Sequence, residues 1–279
     1  MRVGEKQFLT VSRVSDYGLY LKDDVGEEVL LPNRFVSLEW KEGDSVEVFV
    51  YHDSEDRIVS STEEPLLEVG SVAFLEVVDK SEHGAFLDWG MSGKNLFLPN
   101  RNQKGAVRVG EMVLVTSYVD ERTGRAVATQ KLKPYVNNES LQDLKAGQEV
   151  NILVASRSDL GFRAVIENRH WGMLYHNQIF KEVCVGDSCK AFISRITEDN
   201  RIDLSLQRRG FGQVRNSSEE LYQIICEMGG SISLGDNSSP EEIQKTLHMS
   251  KKLFKRSLGM LLSHNRVKTD GKTVTMIKK

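Results

Sequence analysis

Short hydrophobic runs rich in β-branched and aromatic residues, separated by polar turns, fill the first three quarters of the chain. In the first sixty residues the runs are 8–11, 19–21, 29–31, 46–50 and 58–59. Acidic and glycine-containing segments lie between them and are typical of turns. Five short strands in about 60 residues fit a five-stranded barrel of the OB type, which closes on itself and so hides its sheet edges.

Three motifs recur in the same order along this part of the chain. The first is Ser-(Asp/Glu)-X-Gly, at 15–18, 81–84 and 158–161. The second is an apolar segment that ends in Asn, at 30–33, 97–100 and 174–177. The third begins with Gly and an acid and ends in an acidic turn with an arginine, at 43–57, 110–125 and 186–201. The shared order and spacing predict three tandem repeats, at 1–66, 67–139 and 140–209.

The pattern changes after residue 210, where helical signals replace the short strands. The segment Ser217-Ser218-Glu219-Glu220 has the spacing of a capping box and predicts the start of a first helix. A second helix is predicted after Ser239, with proline at its first position, and a third after Ser250. Residues 267–274 predict two strands joined by a tight turn. Three helices and a hairpin are the order of a winged helix, which is therefore predicted for 210–279.

The composition is that of a globular protein, with 39% hydrophobic and 28% charged residues in a chain of 279. No apolar run approaches the roughly 20 residues that span a bilayer, and the polar N-terminus lacks a signal-peptide core. Three cysteines, an odd number, argue against a disulfide framework, and Cys184 and Cys189 have no second ligand pair at metal-site spacing. We therefore expect a cytoplasmic protein without a membrane segment, metal or cofactor.

The net charge of −3 hides a gradient along the chain. Residues 1–66 carry 7 Lys and Arg against 15 Asp and Glu, whereas residues 208–279 carry 13 against 7. Such an asymmetry predicts an anionic partner for the basic end. The acidic first repeat is expected to repel phosphate and to offer a surface to a basic protein partner instead.

The sequence contains no motif that would indicate an enzyme. A Gly-rich phosphate loop, a Cys/His metal quartet and a nucleophile elbow are all missing from it. Metal-dependent nucleases need clustered carboxylates, whereas the acids here are spread over the turns of the repeats. A non-enzymatic function is therefore predicted.

The order of the motifs resembles that of S1 RNA-binding domains. The segment 199–206, Asp-Asn-Arg-Ile-Asp-Leu-Ser-Leu, matches the end of an S1 domain closely, and 85–88, Ala-Phe-Leu-Asp, matches its second strand. Three such units followed by a winged helix are similar to the conserved virulence factor B family of bacterial S1 proteins. The resemblance covers 3–207 and implies three S1/OB-type five-stranded β-barrels and a winged helix, a mainly β fold with a C-terminal α+β domain.

The resemblance also implies binding of single-stranded RNA on one face of each barrel, with aromatic rings for bases and cations for phosphates. The implied contacts are Tyr17, Tyr20 and Arg57 in the first repeat, His83, Phe86 and Arg125 in the second, and Phe162, Arg163, Tyr175, His176 and Arg201 in the third. Aligned on the motifs, the third-strand contact position holds Leu31, Leu98 and Tyr175. Because leucine cannot stack, the third repeat is expected to be the best RNA site and the first the poorest.

The basic C-terminal segment predicts a second contact surface. Residues 250–279 hold nine Lys or Arg and a single acid. On the predicted third helix four cations cluster away from the leucines, as in a recognition helix. They are Lys251, Lys252, Lys255 and Arg256, and the wing residues Arg266, Lys268 and Lys272 extend the patch. Duplex nucleic acid is therefore a second candidate partner at this domain.

Other interpretations of the same residues remain open in the sequence. Tyr20 and Phe86 fit an inward position in a barrel core, and His83 and His176 fit solvent-facing turns. The repeated arginine fits an ion pair with its acidic neighbours, and the basic helix fits a merely solvated surface. The function predicted first is that of an RNA-binding regulator of RNA turnover, translation or gene expression. A DNA-binding transcription regulator and a ribosome-associated or protein-binding scaffold are the alternatives.

Overall fold

The computed structural model describes residues 1–176, 179, 182–206, 211–247 and 249–277. The first five strands are β1 Lys6–Ser15, β2 Gly18–Lys22, β3 Glu28–Pro32, β4 Ser45–His52 and β5 Ile58–Ser61. They form a closed barrel in the order β1-β2-β3-β5-β4, in which only the β3–β5 pair is parallel. The five strands predicted from the hydrophobic runs are all present.

The second and third repeats have the same strand order. The second contains β6 Val72–Ser81, β7 Gly84–Met91, β8 Lys94–Pro99, β9 Met112–Val119 and β10 Ala126–Thr129. Its sheet order is β10-β9-β6-β7-β8, and β10 contacts β8, so the barrel is nearly closed. The third contains β11 Glu149–Ser158, β12 Gly161–Ile166, β13 His170–Tyr175, β14 Ser188–Ile196 and β15 Ile202–Ser205, in a closed barrel. The predicted architecture of three S1/OB-type barrels is confirmed.

The glycine of the Ser-(Asp/Glu)-X-Gly motif marks a close approach between the second and third strands of each barrel. A Cβ atom at Gly18, Gly84 or Gly161 would overlap the carbonyl oxygen of Leu31, Leu98 or Leu174, respectively. The register shifts between the first and second strands of each barrel lie in the first strand and not at this glycine. The motif therefore fixes which residue of the third strand faces the glycine.

A hydrophobic cluster joins the first two barrels, beside the separate core of the first. Phe49 and Tyr51 of β4, with Val59 of β5, join a buried cluster that is otherwise formed by the second repeat. The ring of Trp89 in β7 lies edge-on to Phe49 at 5.3 Å, and its Nε1 donates a hydrogen bond to the Leu67 carbonyl at 2.7 Å. Aromatic pairs of this kind stabilise a contact beyond the area they bury. The first two repeats are thus fused side by side.

The segment between the second and third repeats is also ordered. Leu132 and Val136 pack with Val165 of β12 in a small buried cluster. Asn138 exchanges two hydrogen bonds with the backbone of Trp171 in β13, at 2.7 and 2.8 Å. This segment therefore covers part of the outer face of the third barrel.

The C-terminal residues form a winged helix. Its elements are α1 Phe211–Glu227, β16 Ser231–Ile232, α2 Pro240–Leu247, α3 Lys251–Ser263, β17 Val267–Thr269 and β18 Val274–Met276. The three strands form a sheet in the order β16-β18-β17. Phe254, Leu258 and Leu261 of α3 are buried in its core. The predicted architecture of helices and hairpin is confirmed, and a short strand, β16, adds to it.

The helix starts agree with two of the three predicted caps. Ser239 and Glu242 exchange side-chain-to-backbone hydrogen bonds at 2.8 and 3.1 Å, a capping box at the start of α2. Ser250 accepts a bond from the backbone of α3. The start predicted at Ser217 is wrong, because α1 begins at Phe211 and Ser217 is buried within it. The adjacent Ser218 hydroxyl contacts the sulfur of Met260 in α3, so these small residues serve helix packing.

Contacts divide the chain into two compact units. The first consists of residues 1–144, 150–190 and 196–203, and the second of 145–149, 191–195 and 204–279. Helices in the described ranges are all too short or too polar to span a membrane.

Candidate nucleic-acid interface

Two phenylalanines form an aromatic pair on the outer face of the second barrel. Phe86 in β7 and Phe97 in β8 are cross-strand partners, and their ring centroids are 5.3 Å apart. Along each strand they alternate with buried residues such as Leu87 and Leu98. Since successive side chains of a strand point to opposite faces, both rings lie on the outside of the barrel, half-buried. Their position allows a planar group to stack on them.

The same face carries two cations beside the rings. Lys94 is partly buried, and burial lowers the pKa of its ammonium group. Its Nζ donates a hydrogen bond to the Asp53 carbonyl oxygen at 3.1 Å. The Nε of Arg125 lies 2.5 Å from the carboxylate of Asp56, and this hydrogen bond lowers the pKa of Asp56. Rings and cations line one groove of about 320 Å³.

Two histidines line the groove as well. His83 is exposed, and its Nε2 lies 3.2 Å from the Glu82 carboxylate. His52 comes from β4 of the first barrel, and burial lowers the pKa of its ring. The Nδ1 atom of His52 is buried and makes no hydrogen bond. The groove therefore combines aromatic surface, positive charge and polar ring nitrogens, the groups that bind a nucleotide.

Two arginines of the first barrel, Arg13 and Arg57, already have acidic partners. The guanidinium of Arg13 lies 3.5 Å above the ring of Tyr20 and forms an ion pair with Glu28 at 3.0 Å. Arg57 pairs with Asp53 and Glu55 at 2.7 and 2.8 Å. Tyr17, which is 75% exposed, lines the same groove as Tyr20 and Arg57. An incoming phosphate would have to compete with these carboxylates, in agreement with the negative charge of this repeat.

The third barrel differs from its predicted site at several positions. Phe162 is only 7% exposed and points into the barrel, so its predicted contact with RNA is wrong. The neighbouring Arg163 faces outwards and lies 3.7 Å above the ring of Trp171. The His176 ring packs at 5.6 Å against Phe162. Arg201 forms an ion pair with its neighbour Asp199 at 2.7 Å, as in the alternative interpretation of the repeated arginine.

The register of the third strands corrects the alignment on which the ranking of the barrels was based. Leu31, Leu98 and Leu174 all face the barrel interior and are fully buried. Tyr175 is therefore not the counterpart of Leu31 and Leu98; its hydroxyl bonds to Asp203 at 3.2 Å.

The outward third-strand position holds Leu30, Phe97 and Met173. The backbone amide of His176 makes the bond that Asn33 and Asn100 make in the other repeats, so the motif is shifted by one residue. Asn177, on which the alignment rested, lies outside the described residues. Of the three residues at this position, only Phe97 of the second repeat is aromatic.

On the winged helix the predicted basic surface lies on α3, opposite its buried side. Phe254, Leu258 and Leu261 are buried, whereas the four predicted cations are exposed or half-exposed. They are Lys251, Lys252, Lys255 and Arg256. In the wing Lys268 and Lys272 are exposed. Of these six, five are exposed and Lys251 is half-exposed.

Arg266 differs from the other predicted cations of this domain. Its guanidinium forms an ion pair with Glu219 at 2.5 Å and lies 3.7 Å above the ring of Tyr222. The hydrogen bond to Glu219 raises the pKa of Arg266. This side chain therefore ties α1 to the hairpin.

The residues missed by the sequence analysis are Lys94, Phe97 and His52. Strand alternation alone would have placed Phe97 on the outer face, because Leu96 and Leu98 flank it. Nothing in the sequence joins His52 to the second repeat. Within the described ranges, no three His, Cys, Asp or Glu side chains are close enough to hold a metal ion.

Comparison with known proteins agrees with this architecture. Residues 3–63 and 69–131 match the S1 domain family, and residues 219–276 match the CvfB-like winged helix domain. These are nucleic-acid-binding types of domain. The S1 matches coincide with the first and second barrels.

Relatives of similar length match this chain over nearly its whole length. The uncharacterized protein YitL of Bacillus subtilis is 27% identical over 96% of this chain and 91% of its own length. Conserved virulence factor B of Staphylococcus epidermidis is 23% identical over 99% of this chain and 95% of its own length. A crystal structure of a multidomain protein with nucleic acid binding domains from Streptococcus pneumoniae aligns over 99% of this chain and 98% of its own, with 20% identity and a TM-score of 0.41. The chain contains S1 domains and a CvfB-like winged helix domain, and it is similar over nearly its whole length to conserved virulence factor B, as its repeats and winged helix predicted.

Proposed function

We propose that this protein is an RNA-binding regulator that holds single-stranded RNA, with the groove of the second barrel as its main site. The observation that carries the proposal is the pair Phe86 and Phe97 on the outer face, with Lys94 and Arg125 beside it. Stacking on an aromatic ring contributes about 1–3 kcal/mol per base and requires no particular sequence. Cations next to the rings are placed to hold the phosphate that follows a stacked base.

A single strand suits this groove better than a duplex does. The bases of a duplex are stacked on one another, so that a ring pair on a protein surface cannot reach their faces. An unpaired strand presents each base face to the solvent. The proposed target is therefore an unpaired region of RNA, and the proposed role is in RNA turnover, translation or gene expression in the cytoplasm.

The winged helix adds a second surface to the same chain. The exposed cations of α3 and the wing neutralise phosphates without reading bases. Tethering raises the effective concentration of one surface once the other has bound, so weak sites combine into tighter binding. The same exposed helix also favours a second candidate function, duplex DNA binding with α3 as the recognition helix.

The test is fluorescence anisotropy with a labelled single-stranded RNA of about 15 nucleotides, enough for one OB-type site. The double variant Phe86→Ala/Phe97→Ala should bind at least about tenfold more weakly than the wild type. The matched control is Phe8→Ala, an aromatic residue on β1 that is 70% exposed and lines neither groove.

Affinity should also fall steeply as salt rises, because bound phosphates release counterions. Equal affinities of the double variant and of Phe8→Ala would contradict the proposed site. Tighter binding of duplex DNA than of RNA would favour the second candidate function.

A further inference from the structure

The first barrel forms part of the groove of the second. The turn at 53–56, between β4 and β5, lies against the cations of the second repeat. Its Asp53 carbonyl accepts the hydrogen bond from Lys94, and the Asp56 carboxylate accepts the one from Arg125. His52, the last residue of β4, lines the groove directly. The polar groups around the two rings therefore come from two different repeats.

The Asp56–Arg125 pair is accessible to solvent and to a competing anion. Its side chains are 56% and 50% exposed, respectively. A phosphate oxygen and a carboxylate oxygen accept the same guanidinium hydrogen bonds, and arginine binds both in similar geometry. Asp56 thus occupies the position on Arg125 that a backbone phosphate would take.

His52 gives the groove a ring that is neutral at pH 7, because burial lowers its pKa below the ordinary value of 6.5. A neutral imidazole has one nitrogen that donates and one that accepts a hydrogen bond, as the edge of a nucleobase does. A Cβ atom placed on Gly124, next to Arg125 in the second repeat, would lie 3.9 Å from Cε1 of this ring. The ring therefore lies at the junction of the two repeats.

We propose that the junction of the first two repeats is a composite nucleotide pocket. One unpaired base stacks on Phe86 and Phe97 beside His52, its phosphate binds Arg125, and Asp56 competes with that phosphate. The inference rests on the proposed binding of single-stranded RNA and adds to it a role for the acidic repeat. The two fused barrels then act as one binding unit whose affinity is limited by an acidic turn of its own.

The first test compares two charge-neutralising variants of the full chain. Asp56→Asn removes the competitor of the phosphate, and Asp24→Asn removes the same charge from an exposed turn of the same repeat. Asp56→Asn should tighten RNA binding by about twofold to fivefold, the fold-change that corresponds to an exposed ion pair. Asp24→Asn should match the wild type, since a distant surface charge is screened by salt.

A double-mutant cycle shows whether Asp56 acts through Arg125. Arg125→Gln alone should weaken RNA binding, and adding Asp56→Asn to it should change nothing further. His52→Ala should also weaken binding, with thermal unfolding recorded for every variant. Wild-type protein that does not bind single-stranded RNA would refute the proposed function itself. Wild-type binding with equal affinities of Asp56→Asn and Asp24→Asn would refute the composite pocket and leave the function standing.

Discussion

Phe97 and Leu98 are neighbours in β8 that face opposite sides of the second barrel. Phe97 lies outside, half-buried and tilted against the ring of Phe86, whereas Leu98 is 0% exposed in the core. Alanine at Phe97 should therefore affect RNA binding, whereas alanine at the next residue, Leu98, should affect the stability of the fold. The experiment also tests the register that distinguishes the second barrel from the other two.

The expected magnitudes follow from these positions. Loss of one stacking ring costs about 1–3 kcal/mol of binding free energy, which corresponds to about fivefold to 150-fold weaker affinity. A fully buried leucine changed to alanine costs about 2–5 kcal/mol of unfolding free energy, because it loses hydrophobic burial and leaves a cavity. Phe97→Ala should cost less stability than that, since part of its ring is already in contact with water.

The assay pairs RNA-binding anisotropy with thermal unfolding, and affinity is measured at a temperature at which both variants are folded. Phe97→Ala should bind weakly and unfold close to the wild-type temperature. Leu98→Ala should unfold at a lower temperature and bind with wild-type affinity. If Leu98→Ala lost affinity while folded and Phe97→Ala kept it, the assignment of faces, and with it the proposed site, would be refuted.

Two further predictions concern charged groups. Alanine at all four predicted cations of α3 should weaken RNA binding and leave the unfolding temperature nearly unchanged, because a surface substitution changes stability within about ±0.5 kcal/mol. Unchanged affinity in anisotropy would show that this surface is solvated and does not bind RNA. These cations are Lys251, Lys252, Lys255 and Arg256. The lowered pKa of His52 means that the unfolded chain binds its proton more tightly, so this residue costs stability as pH falls below about 6.5. His52→Gln should therefore flatten the decline of unfolding free energy from about pH 6.5 to 5 in denaturant titrations, and an unchanged slope would contradict the buried neutral ring.

The fold was largely predictable because the same pattern of motifs and turns occurs three times along the chain. Alternating hydrophobic runs gave the strands of the first barrel, and turn residues at matching offsets gave the domain order. The capping box at Ser239 was also predictable, since its two hydrogen bonds join residues only three positions apart. Local signals of this kind need no knowledge of distant parts of the chain.

The site was less predictable because it depends on register. The segment Leu174-Tyr175-His176-Asn177 lacks the proline of the other two repeats, so aligning it on asparagine shifted every side chain to the opposite face. Only the partner strand, through the approach of Gly161 to Leu174, decides between the two alignments. This one-residue shift led the alignment to predict the best site in the third repeat, whereas the outward aromatic residue at this position is Phe97 of the second repeat.

The contact between the first two repeats could not be predicted from the sequence. In the pattern of their own strands, Phe49 and Trp89 look like ordinary core residues. Their packing means that deleting 1–66 would expose the core of the second barrel. Loss of RNA binding after that deletion would therefore report unfolding as much as a missing contact. Point variants in the groove are the sounder way to compare the barrels.

The most direct test of the central claim is a competition experiment with the full chain. A labelled single-stranded RNA is displaced by unlabelled single-stranded RNA, duplex RNA or duplex DNA of the same length and sequence, at one salt concentration. Single-stranded RNA should displace the probe at the lowest concentration, and the Phe86→Ala/Phe97→Ala variant should lose that preference because the stacking surface is gone. Displacement at a lower concentration by duplex DNA, with the preference unchanged in the variant, would contradict a single-strand RNA site in the second barrel.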